Sequence, residues 1–259
     1  MARLSVILIT KNEAHNIAAC LASVAWADEI VVLDSDSTDG TQDICRRAGA
    51  SVVETDWPGF GRQKNRAIDR ATGEWILSID ADERVTPELR AEIERVLQEA
   101  VHEAYEVPRL SSYCGRFLRH GGWWPDRVVR LFRRGRARFN DVPVHERLVV
   151  EGSIGRLTNP LIHHTFRNLE QLLDKVNSYS SAGAQALHAR GKRASLGKAV
   201  ARALWAFLRT YVLRLGLLDG REGFMLAVST AEGTYYRYLK LMYLQEQADG
   251  AHTEVSSER

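Results

Sequence analysis

Cysteine is scarce in this chain of 259 residues: Cys20, Cys45 and Cys114 are three in all, odd in number and widely spaced. They lack the paired spacing of a zinc site and cannot close a disulfide framework, so free thiols in a reducing compartment are expected. Long apolar runs are missing too. The amino-terminal run at residues 4–9 is preceded only by Arg3, is interrupted by Lys11 and Glu13, and has no small-residue cleavage site after it. A signal peptide is therefore not expected, and the placement is expected to be cytoplasmic. Farther on, no charge-free stretch approaches the roughly 20 residues that a membrane-spanning helix needs. No glycine-rich phosphate loop follows the first apolar segment, which weighs against a Rossmann dinucleotide site, a P-loop or a nucleotidyltransferase. Residues 175–218 contain no Asp or Glu at all. No internal repeat is visible.

What is present is ordinary globular material, 45% hydrophobic and 26% charged with a net charge of +2, enough for one large domain or one domain with an appendage. Residues 4–10 (Leu-Ser-Val-Ile-Leu-Ile-Thr) read as a buried strand, and Ile17, Leu21 and Val24 mark one face of the helix after it. Residues 29–33 form a second strand, which runs into Asp34-Ser35-Asp36-Ser37-Thr38-Asp39-Gly40-Thr41, a segment dense with turn formers and helix caps. A short strand at 51–54 and a helix at about 62–71 lead to Trp75-Ile76-Leu77-Ser78-Ile79, an apolar run that stops abruptly at Asp80-Ala81-Asp82-Glu83. Four alternations of strand and helix in the first hundred residues predict an α/β fold, a mostly parallel sheet flanked by helices.

In such a sheet the ligand sits at the carboxyl ends of the strands. That rim would carry Thr10, Asn12 and Glu13 after the first strand, Asp34 and Asp36 after the second, Gln63, Lys64 and Asn65 on the third helix, and Asp80 and Asp82 after the fourth strand. Asp80 and Asp82 repel each other unless a cation or donors compensate. A hard divalent ion such as Mg²⁺ or Mn²⁺, shared with a phosphate, is the natural compensator. Carboxylates suit a nucleoside, and a metal plus Lys64 suits a pyrophosphate. The blander readings are a solvated loop at 80–83, capping by Asp34 or, more readily, Asp36, and plain helix surface for Gln63 and Lys64.

The next fifty residues change pattern. Segments 105–109 and 113–117 have strand-like content, and 127–132 with 136–139 around Arg134-Gly135 carry a hairpin signal. Trp123 and Trp124 are suited equally to stacking on a sugar and to plugging a core. Six arginines fall between Arg127 and Arg138. They suit an anionic acceptor or diphosphate better than nucleic acid, for which interleaved aromatics and a basic balance are wanting; several would be plain strand surface.

The series Thr10-Lys11-Asn12-Glu13, Asp34 through Thr41, and Asp80-Ala81-Asp82 resembles the motifs of the family 2 glycosyltransferases with the GT-A fold, a nucleotide-diphospho-sugar transferase fold. The resemblance implies that Glu13 and Asp34 contact the nucleoside of a nucleotide sugar, that Asp80 lies near ribose or sugar, that Asp82 holds the metal, and that the anomeric carbon is inverted. Inverting transfer needs a base opposite the leaving diphosphate. Glu146, in Val144-His145-Glu146, matches in chain order the acidic residue that family members place after the acceptor-side hairpin, with Asp126 and Asp141 as alternatives. Of His163-His164, His164 is the candidate for an extra metal ligand.

From residue 175 onward basic residues accumulate. A helix over 196–215 would carry Leu196, Val200, Leu204, Phe207, Tyr211 and Leu215 on one face, with Lys198, Arg202 and Arg209 on the other beside Trp205. Such a helix is expected either to lie on an anionic membrane surface or to pack on the catalytic domain. Together with residues 57–65, Trp124-Pro125-Asp126, Val144-His145-Glu146, Leu218-Asp219-Gly220 with Phe224, and Tyr238-Leu239-Lys240-Leu241, this region resembles bacterial lipopolysaccharide inner-core β-1,4-glucosyltransferases, over nearly the whole chain to about Leu244. That resemblance implies UDP-glucose as donor, a lipid-linked heptose as acceptor, and the cytoplasmic face of the inner membrane as the place. The expected organisation is a GT-A catalytic domain at 1–165 (nucleotide-sugar half 1–100, acceptor half 101–165), a helical, basic, membrane-associating extension at 166–246, and a disordered tail at 247–259. Transfer to another glycan or to a protein, and a non-catalytic polyanion binder, are the competing functions.

Overall fold

The computed structural model describes residues 2–141, 147–166 and 168–257, those from 249 on by backbone alone. The chain forms two compact units, Met1–Leu110 with Pro125–His164, and Ser111–Trp124 with Thr165–Arg259. Segment 111–124, expected within the acceptor half, thus belongs to the second unit.

The first unit begins with β1 (Leu4–Thr10), α1 (Ala14–Val24), β2 (Glu29–Asp34), α2 (Thr41–Arg47), β3 (Ser51–Glu54), α3 (Phe60–Arg70) and β4 (Trp75–Ser78). Alternation along β1 sends Leu4, Val6 and Leu8 into a core with Ile17, Leu21 and Val24 of α1. Ile7 turns to the opposite core, with Ala67 and Ile68 of α3. A strand so enclosed is buried on both faces, which explains its unbroken apolar sequence. The strands β3, β2, β1 and β4 lie side by side and parallel. Thr10 pairs with Asp34 in register, so the carboxyl ends share one rim.

Beyond this point antiparallel pairing enters the sheet. The chain continues through β5 (Glu83–Val85), α4 (Pro87–Glu99), β6 (Ala104–Tyr113), β7 (Arg116–Phe117), β8 (Asp126–Arg133), β9 (Ala137–Phe139), β10 (Leu148–Val150), β11 (Ile154–Arg156) and β12 (Leu161–Phe166). The order past β4 is β8-β6-β12-β5, with β8 antiparallel to both β4 and β6 and β12 antiparallel to β5. Antiparallel pairing needs no helical crossover, and none follows α4 in this unit, though β11 still runs parallel to β6. The hairpin expected at Arg134-Gly135 is also corrected. A turn does form there, with Arg136 N–H donating to the Arg133 carbonyl, but β9 pairs with β10 in a separate two-stranded sheet.

The second unit is mainly helical: α5 (Leu169–Ala189), α6 (Leu196–Leu208) and α7 (Gly220–Ser257), with α5 and α6 each packed on α7. Asn168 and Ser195 cap α5 and α6 through their side chains. The single helix predicted over 196–215 ends early, widening into a π turn at Arg209–Leu213 and reversing at Leu215, whose φ is +56°. Helix α7 runs to Ser257, across the stretch expected to be disordered; its Gln, Glu and Ala residues form helix readily. Trp123 packs with Tyr113 and Phe166 in the core of this unit, and Trp124 lies under the Arg119 guanidinium at 5.5 Å.

Glu92 of α4 pins the loop between β11 and β12. Its buried carboxylate accepts from the backbone N–H and hydroxyl of Thr158 and from the backbone and side-chain amides of Asn159. Burial opposes ionisation, but these donors outweigh it and hold the carboxyl below its ordinary value. The stabilisation is therefore complete above the unfolded value and is lost as the pH falls through the folded one. Glu92→Ala should cost about 2 kcal/mol at pH 7, read as a shift in the urea midpoint. The gap to the wild-type chain should narrow below about pH 4.5.

Candidate active site

The rim residues divide into those whose hydrogen bonds close within the fold and those that keep surface open. Asp34 belongs to the first group. It is fully buried and accepts from Thr10 Oγ1 at 2.7 Å, Ser37 N at 2.9 Å, Ser37 Oγ at 2.6 Å and Gln42 Nε2 at 2.8 Å. Those four donors fill a carboxylate's acceptor sites. They overcome burial and keep the carboxyl below its usual range. Asp34 is thus the anchor of the 34–41 loop. Thr10 is committed to that anchor. Asn12, at φ +56°, ties the same loop by accepting from Thr38 N, and its own N–H donates to Ser37 Oγ. Asp39 accepts from the N–H and hydroxyl of Thr41, and Asp36, expected to cap, is exposed at φ +57° while the N-cap of α2 is Gly40. Gln63 is buried, donating to Ser35 Oγ and Thr55 Oγ1.

Four rim carboxylates keep part of their surface open: Asp36, which is exposed, and Glu13, Asp80 and Asp82, at 32%, 33% and 26% side-chain exposure. Glu13 is steadied by Asn16 Nδ2 at 3.0 Å. Asp80 is held on three sides. Lys64 Nζ lies 3.2 Å from Oδ1, Arg130 Nη2 lies 2.6 Å from Oδ2, and the Asp80 backbone N–H donates to Glu83 Oε2 at 3.0 Å. Arg130 Nη2 also meets Glu83 Oε1 at 2.5 Å, and Arg109 bridges that same oxygen to Asp126. Cation and anion alternate from Lys64 through Asp80, Arg130, Glu83 and Arg109 to Asp126. Burial opposes the charge on Asp80, but Arg130 and Lys64 outweigh it and hold the carboxyl far below the carboxylate range. Asp80 stays ionised at every physiological pH.

Asp82 differs from its neighbour. Its Oδ2 lies 3.3 Å from His163 Nε2, and its carbonyl accepts from the His164 N–H at 2.9 Å. The antiparallel pairing of β12 with β5, His163 opposite Glu83, delivers both histidines there. The ring in contact is that of His163; His164, the expected ligand, is more exposed and close enough to feel the Asp82 charge. Burial, Arg84 and His163 keep the His164 imidazole below its ordinary pKa against the pull of Asp82, so it is neutral and ligand-competent near pH 7. Among the described residues no three His, Cys, Asp or Glu side chains gather as a closed metal cage.

Of the base candidates, Glu146 and its neighbours Val144 and His145 lie outside the described residues. Asp126 is taken by Arg109, and Asp141 accepts two hydrogen bonds from Arg62. The six arginines expected to meet an anion are engaged within the unit. Arg133 and Arg136 pair with Glu103, Arg138 with Asp69 and Arg127 with Glu106, while Arg134 donates to the Gly73 carbonyl. Arg130 reaches the rim as the partner of Asp80. Its pairing with Asp80 and Glu83, and the part played by Arg109, were not read from the sequence, although strand alternation puts Arg130 on the same face as the buried Phe132.

Arg130→Met would leave Asp80 and Glu83 without their shared cation. It should cost about 3–5 kcal/mol in urea unfolding, and adding Glu83→Gln should recover part of that loss.

Comparison with known proteins places this site in a family. The Glycosyl transferase family 2 model matches residues 5–152. An uncharacterized glycosyltransferase of Rickettsia typhi is 30% identical over all of this chain and 92% of its own length. The lipopolysaccharide core biosynthesis glycosyltransferase LpsC of Rhizobium meliloti is 30% identical over 91% of this chain and 93% of its own. Among solved structures, a TarS fragment from S. aureus in complex with UDP-GlcNAc superposes with a TM-score of 0.49 at 17% identity, covering 94% of this chain and 92% of that one. The match through residue 152 and the relatives of like length agree: the chain belongs to glycosyl transferase family 2 and is a glycosyltransferase.

Proposed function

We propose that the enzyme transfers a sugar, with inversion, from a UDP-sugar to a lipid-linked saccharide in a reaction that depends on Mg²⁺ or Mn²⁺. The observation that carries this reading is Asp82, which is open to a ligand and stands beside His163 while the adjoining Asp80 is locked. The donor set fits a hard cation. Asp82 with one of the two histidines supplies a minority of its ligands, leaving the others to diphosphate oxygens and water, as such ions prefer in nucleotide sites. When bound, the ion neutralises charge growing on the departing diphosphate.

The chain's own groups do the rest. Glu13 and Asp80 suit the hydroxyls of nucleoside and sugar as acceptors, and Lys64 suits a phosphate oxygen. Glu146 takes the proton of the acceptor hydroxyl as that oxygen attacks the anomeric carbon, and the bond to the diphosphate breaks on the opposite side. Glucose as the sugar and an inner-core heptose as the acceptor rest on the resemblance to the inner-core glucosyltransferases, and the LpsC relative supports a lipopolysaccharide core acceptor. An acceptor of that kind would bring the enzyme to the inner face of the bacterial inner membrane. Among the described residues no helix is long and apolar enough to cross a membrane, so attachment would be peripheral.

Calorimetry with UDP and Mn²⁺ tests the donor site: binding should require the metal and be lost in Asp82→Asn, and metal-independent binding unchanged by that substitution would refute the assignment. With detergent-solubilised truncated lipopolysaccharide and a panel of nucleotide sugars, Glu146→Gln should lower kcat by about 10²–10⁴-fold with UDP-sugar affinity retained. Near-normal turnover would move the base elsewhere.

A further inference from the structure

Helix α6 presents the wrong side to its partner for an ordinary amphipathic helix. Its buried residues are Ala199 and Ala206, continued by Thr210 of the π turn. The row Leu196, Val200, Leu204 and Leu208, spaced by four, stays exposed. Small side chains let two helix axes approach closely, and α6 uses them against α7. Among the described residues, twelve of the twenty-three exposed large hydrophobic side chains fall in the 33 residues from Leu196 to Val228. An eighth of the chain therefore holds half of its exposed apolar bulk, more than the scatter of single residues that a soluble surface tolerates.

The elbow between α6 and α7 is the most concentrated part. Leu213, Leu215, Leu217 and Leu218 are all 43–63% exposed. They are not on a loose loop. A Cβ on Gly223 would fall 1.9 Å from the Gly216 carbonyl oxygen, so the two arms of the elbow touch through glycine. Buried Asp219 accepts from the backbone N–H groups of Arg119 and His120 and pairs with the His120 ring. Leu215 is held at φ +56°, a conformation leucine adopts only where its surroundings impose it. The fold thus spends strain and close packing to hold leucines outward.

The charge around them is of one sign. Lys198, Arg202, Arg209, Arg214 and Arg221 are exposed, and the acidic side chains of this region, Asp219 and Glu222, are buried in pairs with His120 and Arg116. Leucines projecting from a rigid tip, collared by cations and without exposed carboxylates, match an anionic bilayer, which offers acyl chains at depth and phosphate at its surface.

We propose that the 208–218 elbow is a wedge that inserts its leucines into the headgroup region of an anionic bilayer, with Arg202 and Arg209 on the lipid phosphates. This rests on the reading of a lipid-linked acceptor, and gives that acceptor's membrane a specific docking point on the second unit. It differs from attachment by the flat face of one amphipathic helix in making the turn, rather than the whole length of α6, the inserting element.

The test is sedimentation of the full chain with vesicles of phosphatidylcholine alone or mixed with phosphatidylglycerol. The wild-type chain should bind the anionic vesicles, and more weakly as salt is raised. Leu217→Asp with Leu218→Asp should weaken that binding by roughly tenfold or more, and Arg202→Glu with Arg209→Glu should abolish the preference for anionic over neutral vesicles. Circular dichroism and metal-dependent UDP binding should be unchanged in both variants. Wild-type sedimentation by the leucine variant would overturn the wedge, as would a lipid-free dimer that this variant dissociates, which would assign the leucines to a second copy. Absence of UDP binding in the wild-type chain would instead strike the donor reading, leaving the vesicle result to stand by itself.

Discussion

One guanidinium governs the rim. Arg130 is almost wholly buried and touches the carboxylates of both Asp80 and Glu83 through a single nitrogen. Ionising any of the three alone in that position would be prohibitive. Alternating six charges from Lys64 to Asp126 makes the arrangement tolerable, because each inner member is flanked by opposite sign. The consequence is geometric. With Asp80 N–H bound to Glu83 Oε2 and Glu83 N–H bound to the Asp80 carbonyl at 2.9 Å, the 80–83 turn has one shape. In that shape Asp82 stands outside the charge network, beside His163. Charges fixed beforehand leave little reorganisation to accompany the binding of a charged ligand.

The fold's first half was legible because each strand announces its surroundings. Enclosure on both faces forces an unbroken apolar sequence, and the turn residues after 34 and 80 mark where each strand stops. The second half was less legible. Strand β8 joins Arg127, Arg130 and Arg133 at intervals of three, a spacing that reads as surface charge until the pairing with β4 and β6 shows which of them is walled in. Pairing partners are fixed by contacts distant in sequence, which local pattern does not encode. The hairpin expected at Arg134-Gly135 failed for that reason: the turn is local and correct, but the strand beyond it pairs with β10.

Within the site, residue type was easier to read than residue role. Asp34, Thr10, Asn12 and Gln63 have the chemistry of nucleoside contacts and the positions of rim residues, yet their hydrogen bonds close on the 34–41 loop and on Ser35 and Thr55. Polar side chains at a strand end must first satisfy the backbone they interrupt, and only the surplus is free for a ligand. Glu13, Asp36, Asp80 and Asp82 keep surface open beyond such bonds. The histidine beside Asp82 was a matter of strand parity, because adjacent residues of β12 point to opposite faces and the register with β5 decides which ring arrives.

The same distinction between pattern and use explains α6. Periodicity identified an apolar face, and apolar faces of helices in water are ordinarily the buried ones. Here the helix is held instead by alanine and threonine, whose contribution to any hydropathy pattern is slight, and the larger side chains are left over. A helix needs only close contact to dock, not bulk. Once small residues supply that contact, leucines on the remaining surface are an expense to solubility that the chain could have avoided with polar residues. That they are kept, concentrated at a glycine-tightened elbow and ringed by cations, argues that this surface has an apolar, negatively fringed counterpart outside the protein.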